Sequence, residues 1–397
     1  MSEGRNEPWL NRYALLTVAA TLVLIGVGGL VTSRGAGMAV PDWPNTYGYN
    51  LFLFPVSQWV GGILYEHTHR LIGALVGLLT AVLAVWLWVR ETRGWSRRAG
   101  VLLMVLAVAL LGARAMPVYV ALAAAALPAM AWGLRRFVQD AEALRWLGVT
   151  ALAAVILQGV LGGLRVAWMK DEIGVFHGLL AQSFLVLLGT IALLTSPWWR
   201  QAWLGTEVVR VRGLLLLGTV LVFAQLGLGA AMRHRHAGLA VPDFPLAYGH
   251  LWPQTDAAAI RRYNQQRLEV VAANPIARAD LHLHMAHRVG ALLVLGAGLA
   301  AWLAARRHLA PGHAVRRGTG VWLGLMLIQF TLGAITVWTN KAADIATAHV
   351  AVGSLILLTG GLLCVATGLR AAGVAREPDL AGGVVRGAAD RVTVAAT

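Results

Sequence analysis

The sequence has very little charge for its length. Only 13% of its 397 residues are Asp, Glu, Lys or Arg, whereas 58% are hydrophobic. A soluble domain carries about 25% charged residues. The composition therefore excludes a soluble globular protein and predicts an all-α polytopic membrane protein.

Cysteine and lysine are almost absent. The single cysteine, Cys364, lies in the last apolar run, which excludes an intrachain disulfide and a zinc site built from several thiolates. The only lysines are Lys170 and Lys341, so the net charge of +15 comes mostly from arginine. These arginines are spread over separate loops, a pattern that favours membrane topology and contact with anionic lipid over nucleic-acid binding.

Long apolar runs are abundant. A spanning helix needs about 20 apolar residues, and eight runs reach that length. They lie near residues 13–33, 63–89, 146–166, 174–195, 211–232, 284–304, 317–338 and 346–369. Two shorter runs, 99–113 and 117–134, predict an inserted hairpin that either spans, for ten spans in all, or lies at the interface.

Arginine-rich loops set the predicted orientation. Positive residues collect on the cytoplasmic side, which places the following loops and the N-terminus in the cytoplasm. The loops are those around residues 90–98, 135–145, 200–212 and 306–317. We therefore expect a multi-pass protein of the inner (plasma) membrane.

The chain contains an internal repeat. Residues 39–48 recur as 240–249 with a constant shift of 201, and residues 66–70 align with 284–288. Each copy holds four core spans, so both copies share one orientation, as in parallel membrane repeats. The duplication predicts two tandem four-helix bundles.

These patterns predict three segments. Residues 1–200 form the N-terminal bundle, with the insertion at about 97–145. Residues 201–375 form the C-terminal bundle. Residues 376–397 form a cytoplasmic tail that is expected to be disordered.

Four histidines occupy matching positions near the outer ends of apolar runs: His69 and His177 in the first copy, His287 and His349 in the second. Histidine inside a membrane is costly unless it is paired or bound. Two imidazoles on facing helices suit the two axial positions of heme iron. The alternative for any one of them is a helix–helix hydrogen bond.

The two copies differ beside these histidines. On one helix face, Glu66 lies one turn before His69, whereas His284 lies one turn before His287. A carboxylate can take a proton or stabilise positive charge, which predicts a reactive first site and an electron-transferring second site. The alternative is that Glu66 only pairs with Arg70.

Positive side chains at the outer helix ends are candidates for binding the propionates of a heme. The candidates are Arg34, Arg70 and Lys170 in the first copy, and Arg233, Arg235, Arg288 and Lys341 in the second. Arginine forks match carboxylates. For the lysines, an interfacial anchor is an equal alternative.

These segments together resemble the heme A synthase family, which converts heme O to heme A for cytochrome oxidase. The resemblance covers nearly the whole chain outside the insertion. It rests on residues 41–44, 66–70, 158–177, 287–288 and 329–349.

The resemblance implies that heme O is the substrate, held between His69 and His177, and that a heme b cofactor lies between His287 and His349. Glu66 would be the catalytic carboxylate. The implied reaction oxidises the C8 methyl group to a formyl through alcohol and gem-diol stages, with water as the oxygen source. Electrons would leave through heme b.

Many relatives carry a cysteine pair in the first outer loop, where this chain has Val40 and Thr46. The expected partners are heme O synthase, cytochrome oxidase assembly factors, an unidentified electron acceptor, membrane lipid and a second copy in a homo-oligomer. Two alternatives stay open: a bis-histidine diheme b-type cytochrome that only transfers electrons, and a transporter, since parallel repeats also build carriers.

Overall fold

The computed structural model describes residues 7–113, 115–140, 143–201, 204–267 and 275–386, with side chains to residue 369. Every secondary-structure element named within these ranges is a helix, which confirms the predicted all-α fold. In the predicted tail, 376–397, residues 376–386 are helical, and residues 387–397 lie outside the described residues.

Twelve α-helices occur in the described ranges. In chain order they are α1 (Pro8–Ser33), α2 (Gly61–Glu91), α3 (Gly94–Leu110), α4 (Met116–Gln139), α5 (Arg145–Ala167), α6 (Glu172–Thr195), α7 (Pro197–Gln201), α8 (Val209–His234), α9 (Ala257–Gln265), α10 (Arg278–His308), α11 (Ala314–Trp338) and α12 (Ala343–Arg386). Nine of these described helices are long and apolar enough to cross a membrane. The chain is a multi-pass membrane protein.

The long helices form two closed rings of four. In the first bundle α1, α2, α5 and α6 each pack against two neighbours, and α8, α10, α11 and α12 do the same in the second bundle. Each ring has its own apolar core, around Leu83 and Leu188 in the first bundle and around Leu215 and Trp322 in the second. In lipid, such contacts are stabilised by close van der Waals packing.

The bundles meet through the first and last helices of each. α1 packs against α12, while α6 packs against α8 and α12. Small residues allow the close approach: a methyl group on Gly29 would lie 3.5 Å from Val350 of α12. The two sites therefore share a protein interface with no lipid between them.

The predicted insertion is a helical pair outside the first ring. α3 packs on α2, and α4 packs along α5. With 24 residues, α4 is one of the nine candidate spans, whereas α3 has 17. Nine of the ten expected spans thus appear by length and composition, and α3 is at the lower limit for crossing a bilayer.

The two repeated loops, which are named the outer loops after the predicted orientation, fold alike. The Asp42 carboxylate accepts hydrogen bonds from the backbone N–H groups of Tyr47 and Gly48, and Asp243 does the same for its own loop. Tyr47 donates to the carbonyl of Ala39, and the matching tyrosine makes the matching bond. Because aspartate readily caps nearby backbone groups, it fixes these turns. The loops then lie over the outer ends of the bundles.

Candidate functional site

The structure places the four predicted histidines in two pairs. His69 of α2 and His177 of α6 belong to the first bundle, where they lie close enough to interact electrostatically. His287 of α10 and His349 of α12 belong to the second. Each histidine lies within the first ten residues of its helix, at the outer end, so the two pairs share one depth.

In the first bundle each imidazole lies against a glycine of a neighbouring helix. A methyl group on Gly28 of α1 would lie 2.9 Å from Cε1 of His69, and one on Gly162 of α5 would lie 3.2 Å from Cε1 of His177. Real Cβ atoms rarely come so close. Only glycine leaves room for these rings to lie against the helix backbone.

The second bundle repeats this arrangement. A methyl group on Gly229 would lie 3.2 Å from Cε1 of His287, and one on Gly333 would lie 3.3 Å from Cε1 of His349. Gly229 and Gly333 occupy the places in α8 and α11 that the two glycines occupy in α1 and α5. All four rings are therefore seated in the same way.

In the second bundle, the distance between the two histidine rings fits one iron between them. The ring centres of His287 and His349 are 6.5 Å apart, with an angle of 59° between the planes. Two imidazole nitrogens at about 2 Å from one metal ion place their ring centres about 6 Å apart. The pair therefore has the separation of two axial ligands.

Buried nitrogen atoms support the same use. Nδ1 of His69, His177 and His349 is buried and has no hydrogen-bond partner among the described residues. With Nδ1 turned into the protein, Nε2 is the nitrogen available to an iron between the rings. No group of three or more His, Cys, Asp or Glu in the described part of the chain could hold a bare metal ion, which fits a heme better than zinc.

Two glutamines hold the histidine backbones. The side chain of Gln158 donates to the carbonyl of His177 at 2.8 Å, and Gln225 donates to the carbonyl of His287 at 2.7 Å. The Gln225 amide nitrogen also lies 3.1 Å from Nδ1 of His287. Such outer contacts orient metal ligands. Sequence reasoning found Gln158 through the repeat but missed Gln225, because Leu24 stands at its place in α1.

His67 faces away from the paired rings, as its helical position predicts. Its side chain is fully buried, and Nδ1 lies 3.1 Å from the hydroxyl of Thr46. The ring packs against Phe54 and Trp59 of the outer loop. His67 therefore anchors the loop through Thr46, Phe54 and Trp59.

Glu66 is buried, and both of its carboxylate oxygens have partners. Oε1 accepts from Arg70 at 2.7 Å, and Oε2 accepts from the backbone N–H of Val40 at 2.8 Å. Arg70 in turn donates to three loop carbonyls, those of Val40, Asp42 and Asn45. The predicted ion pair is therefore present, and it belongs to a network that fixes the loop over the site.

The second copy holds its loop in the same way with an imidazole. Nδ1 of His284 accepts from the backbone N–H of Val241 at 3.3 Å. Arg288 donates to the carbonyls of Val241, Asp243 and Leu246. Glu66 and His284 are thus true counterparts, and only the first carries a negative charge beside its site.

The other predicted propionate ligands lie at the outer rim. Arg34 is exposed and lies over the ring of Tyr65, and Lys170 is exposed on the turn between α5 and α6. Lys341 is half-buried on the turn before α12, where it reaches the loop at Gly238. Arg70 and Arg288 lie deeper, but backbone carbonyls already occupy much of their donor capacity.

Sequence reasoning missed two residues between the bundles, Arg165 of α5 and His234 of α8. Arg233, one of the predicted propionate ligands, is the neighbour of His234 in α8, and Oδ1 of Asp171 lies 3.0 Å from Arg165 and 4.0 Å from Nδ1 of His234. His234 lies against Gly174, so closely that no side chain fits there. Their proximity depends on packing between distant helices, and no local spacing in the sequence indicates it.

Known proteins match this chain over most of its length. A family model described as cytochrome oxidase assembly protein matches residues 112–360, well over half of the chain. The heme A synthase of Geobacillus kaustophilus is 25% identical over 346 residues, which cover 84% of this chain and 83% of the relative. The heme A synthase of Shewanella oneidensis is 24% identical over 370 residues, 88% of this chain and 93% of the relative.

A third relative agrees with these two. The heme A synthase of Halalkalibacterium halodurans is 22% identical over 358 residues, 88% of this chain and 94% of the relative. The relatives are covered nearly from end to end, including the first bundle. The chain belongs to the cytochrome oxidase assembly family of heme A synthases.

Proposed function

We propose that this chain is an oxidoreductase that converts heme O to heme A in the plasma membrane. The observation that carries the proposal is the pair of repeated cages, in which four imidazoles are seated on four glycines at one depth. The curated relatives of this chain are heme A synthases. In this assignment His69 and His177 hold the substrate heme O.

The second bundle is the proposed site of a resident heme b, between His287 and His349. The ring separation of 6.5 Å, the glycine seats and the apolar helices fit that group. A bound heme b would accept and pass on single electrons. Gln225 orients one ligand, and Arg288 and His284 keep the outer loop closed over this end of the bundle.

The first bundle would carry the oxidation. Its helices exclude bulk water from the substrate, while the loop held by Glu66 and Arg70 covers the outer end. Oxidation of a methyl group to a formyl, with water as the oxygen source, releases protons as well as electrons. Glu66, one turn from His69, is the nearest predicted base to the substrate, and each of its oxygens keeps a second lone pair that can take a proton.

One observation favours a second function. Because both Glu66 oxygens already have partners, the carboxylate can be a loop anchor in a bis-histidine diheme cytochrome that only transfers electrons. Heme extraction separates the two functions. Cells that supply heme O and express this chain should yield an aldehyde-bearing heme by mass spectrometry if the chain is the synthase. Unchanged hemes bound to the purified protein would identify the cytochrome instead.

The proposed orientation has the N-terminus in the cytoplasm and both heme sites toward the outer face. The arginine-rich loops support it. Proposed partners are heme O synthase as the supplier, cytochrome oxidase assembly factors as receivers, an electron acceptor and a second copy of this chain. Cysteine labelling tests this orientation in whole cells whose outer envelope has been opened. A thiol-reactive reagent that cannot cross the membrane should label Phe52→Cys and should not label Trp95→Cys.

A further inference from the structure

Two arginines lie at the interface of the bundles. Arg165 lies near the outer end of α5, and Arg233 near the outer end of α8. Oδ1 of Asp171 lies 3.0 Å from Arg165 and 4.0 Å from Nδ1 of His234, the neighbour of Arg233. Arg165 also follows the glycine seat at Gly162 by about one helical turn. This cluster therefore borders the first cage from the side of the second bundle.

Arg165 is only partly neutralised. One of its terminal nitrogens donates to Oδ1 of Asp171 at 3.0 Å, but the Asp171 side chain is 48% exposed. Nε of Arg165 is buried and has no hydrogen-bond partner among the described residues. The guanidinium lies over Gly37, where a methyl group would come within 2.9 Å of it. The outer loop thus leaves space for this one side chain.

Arg233 has neutral partners. It donates to the carbonyl of Gly29 and to the hydroxyl of Ser33 at 2.6 Å, both on α1. Within the described ranges no ion pair includes Arg233. A side chain of the second bundle therefore completes the rim of the first cage, one residue from the glycine seat at Gly28.

The charges of this cluster do not balance. The half-exposed Asp171 carboxylate pairs with Arg165 and His234, and within the described residues no carboxylate pairs with Arg233. Buried charge without a partner is costly. The excess of positive charge is not repeated at the second cage. Thr32 stands at the place of Arg233 in α1, and Thr336 stands at the place of Arg165 in α11. The missing anion therefore belongs to the first cage.

We propose that Arg165 and Arg233 together form a carboxylate site that binds a propionate of heme O in the first cage. The proposal rests on the proposed function and names the group that recognises its substrate. Guanidinium forks match carboxylates in geometry and charge. The site is built from both bundles, so the first cage is complete only when the second bundle is folded against it.

The test is a titration of the full-length purified chain, with the second cage filled. Heme O and its propionate dimethyl ester are added separately, and absorbance reports binding that is lost in His69→Ala. We expect the free acid to bind about tenfold or more tightly than the diester, as a charge-assisted hydrogen bond provides. Arg165→Gln and Arg233→Gln should each remove most of this preference and leave diester binding nearly unchanged. Arg278→Gln, an exposed outer arginine bonded to the Thr255 carbonyl, is the matched control and should keep the preference.

Two results would overturn the proposal. Equal affinity for acid and diester in the unmodified chain would mean that the first cage has no carboxylate site. An acid preference that survives both arginine substitutions would place the carboxylate site at other residues. Histidine-dependent heme spectra in these experiments leave the proposed function standing, whereas a chain that binds no heme would refute both.

Discussion

At the scale of single residues, the role of Glu66 distinguishes the two proposed functions. The carboxylate is buried, bonded to Arg70 and to the loop N–H of Val40, and lies one turn from His69. Those contacts suit a loop anchor, whereas the position beside the cage suits a base. The two roles make different predictions, because an anchor needs only a hydrogen-bond acceptor, whereas a base needs a group that can take a proton.

Glu66→Gln and Glu66→His separate these roles. Glutamine keeps the shape, and histidine copies the second bundle, where His284 holds the same loop N–H. We expect both variants to keep both heme spectra, and we expect Glu66→Gln to lower the yield of heme A about a hundredfold or more, the usual loss when a general base is removed. Undiminished heme A in the glutamine variant would show that the carboxylate is only an anchor, because glutamine keeps the acceptor oxygen and cannot take the proton.

The glycine seats give a second prediction at this scale. Gly28→Ala puts a methyl group 2.9 Å from Cε1 of His69 and forces the ring to shift. Because such overpacking is energetically unfavourable, we expect heme O to bind to this variant about tenfold or more weakly. Gly26→Ala, on the same helix, meets nothing within 4 Å and is the control. Titration with heme O measures both, and equal binding by the two variants would contradict the seat.

At the scale of elements, the sequence predicted much and missed what lies between helices. Apolar runs located every core span, because length and hydropathy are local properties. The repeat located the four histidines and paired them. Arg165, His234 and Gln225 were missed, since their roles depend on which helix faces which, and hydropathy does not determine packing partners. The Val40 bond to Glu66 was missed because a loop must fold back 26 residues to make it.

The inserted helix α4 supports the first bundle on its outer side. Gly133 lies against the Trp146 carbonyl of α5, where a methyl group would come within 2.8 Å, and Tyr119 packs edge-on against Trp43 of the outer loop. Gly133→Val should therefore separate α4 from α5 and lower the thermal unfolding midpoint by at least about 3 °C. Ala125→Val, at an exposed position on the same helix, should leave the midpoint unchanged. Equal midpoints for the two variants would show that α4 does not support the bundle.

At the scale of the whole molecule, the same four-helix bundle occurs twice, with a different proposed role in each copy. The bundles share their histidines, glycine seats and loop anchors, and they differ in Glu66 and in the arginines between them. The interface of α1 and α6 with α8 and α12 brings the cages together without lipid. The arrangement suits electron transfer from the first cage to the second.

Removing one ligand of the second cage tests this division. We expect His349→Ala to lose the stable b-type spectrum, because one axial position is gone, while heme O still enters the first cage. Phe176→Ala, at an exposed position of α6, is a control for folding. An unchanged b-type spectrum in the purified His349→Ala protein would contradict the assignment of the second cage.

The most direct test of the central claim is the fate of heme O on the purified full-length chain. The protein is incubated with heme O and a one-electron acceptor dye, and the extracted heme is identified by mass spectrometry. The account predicts an aldehyde-bearing heme that forms only when His69, His177 and Glu66 are intact. Heme O recovered unchanged from a protein with both histidine-dependent spectra would contradict it and make the chain a cytochrome.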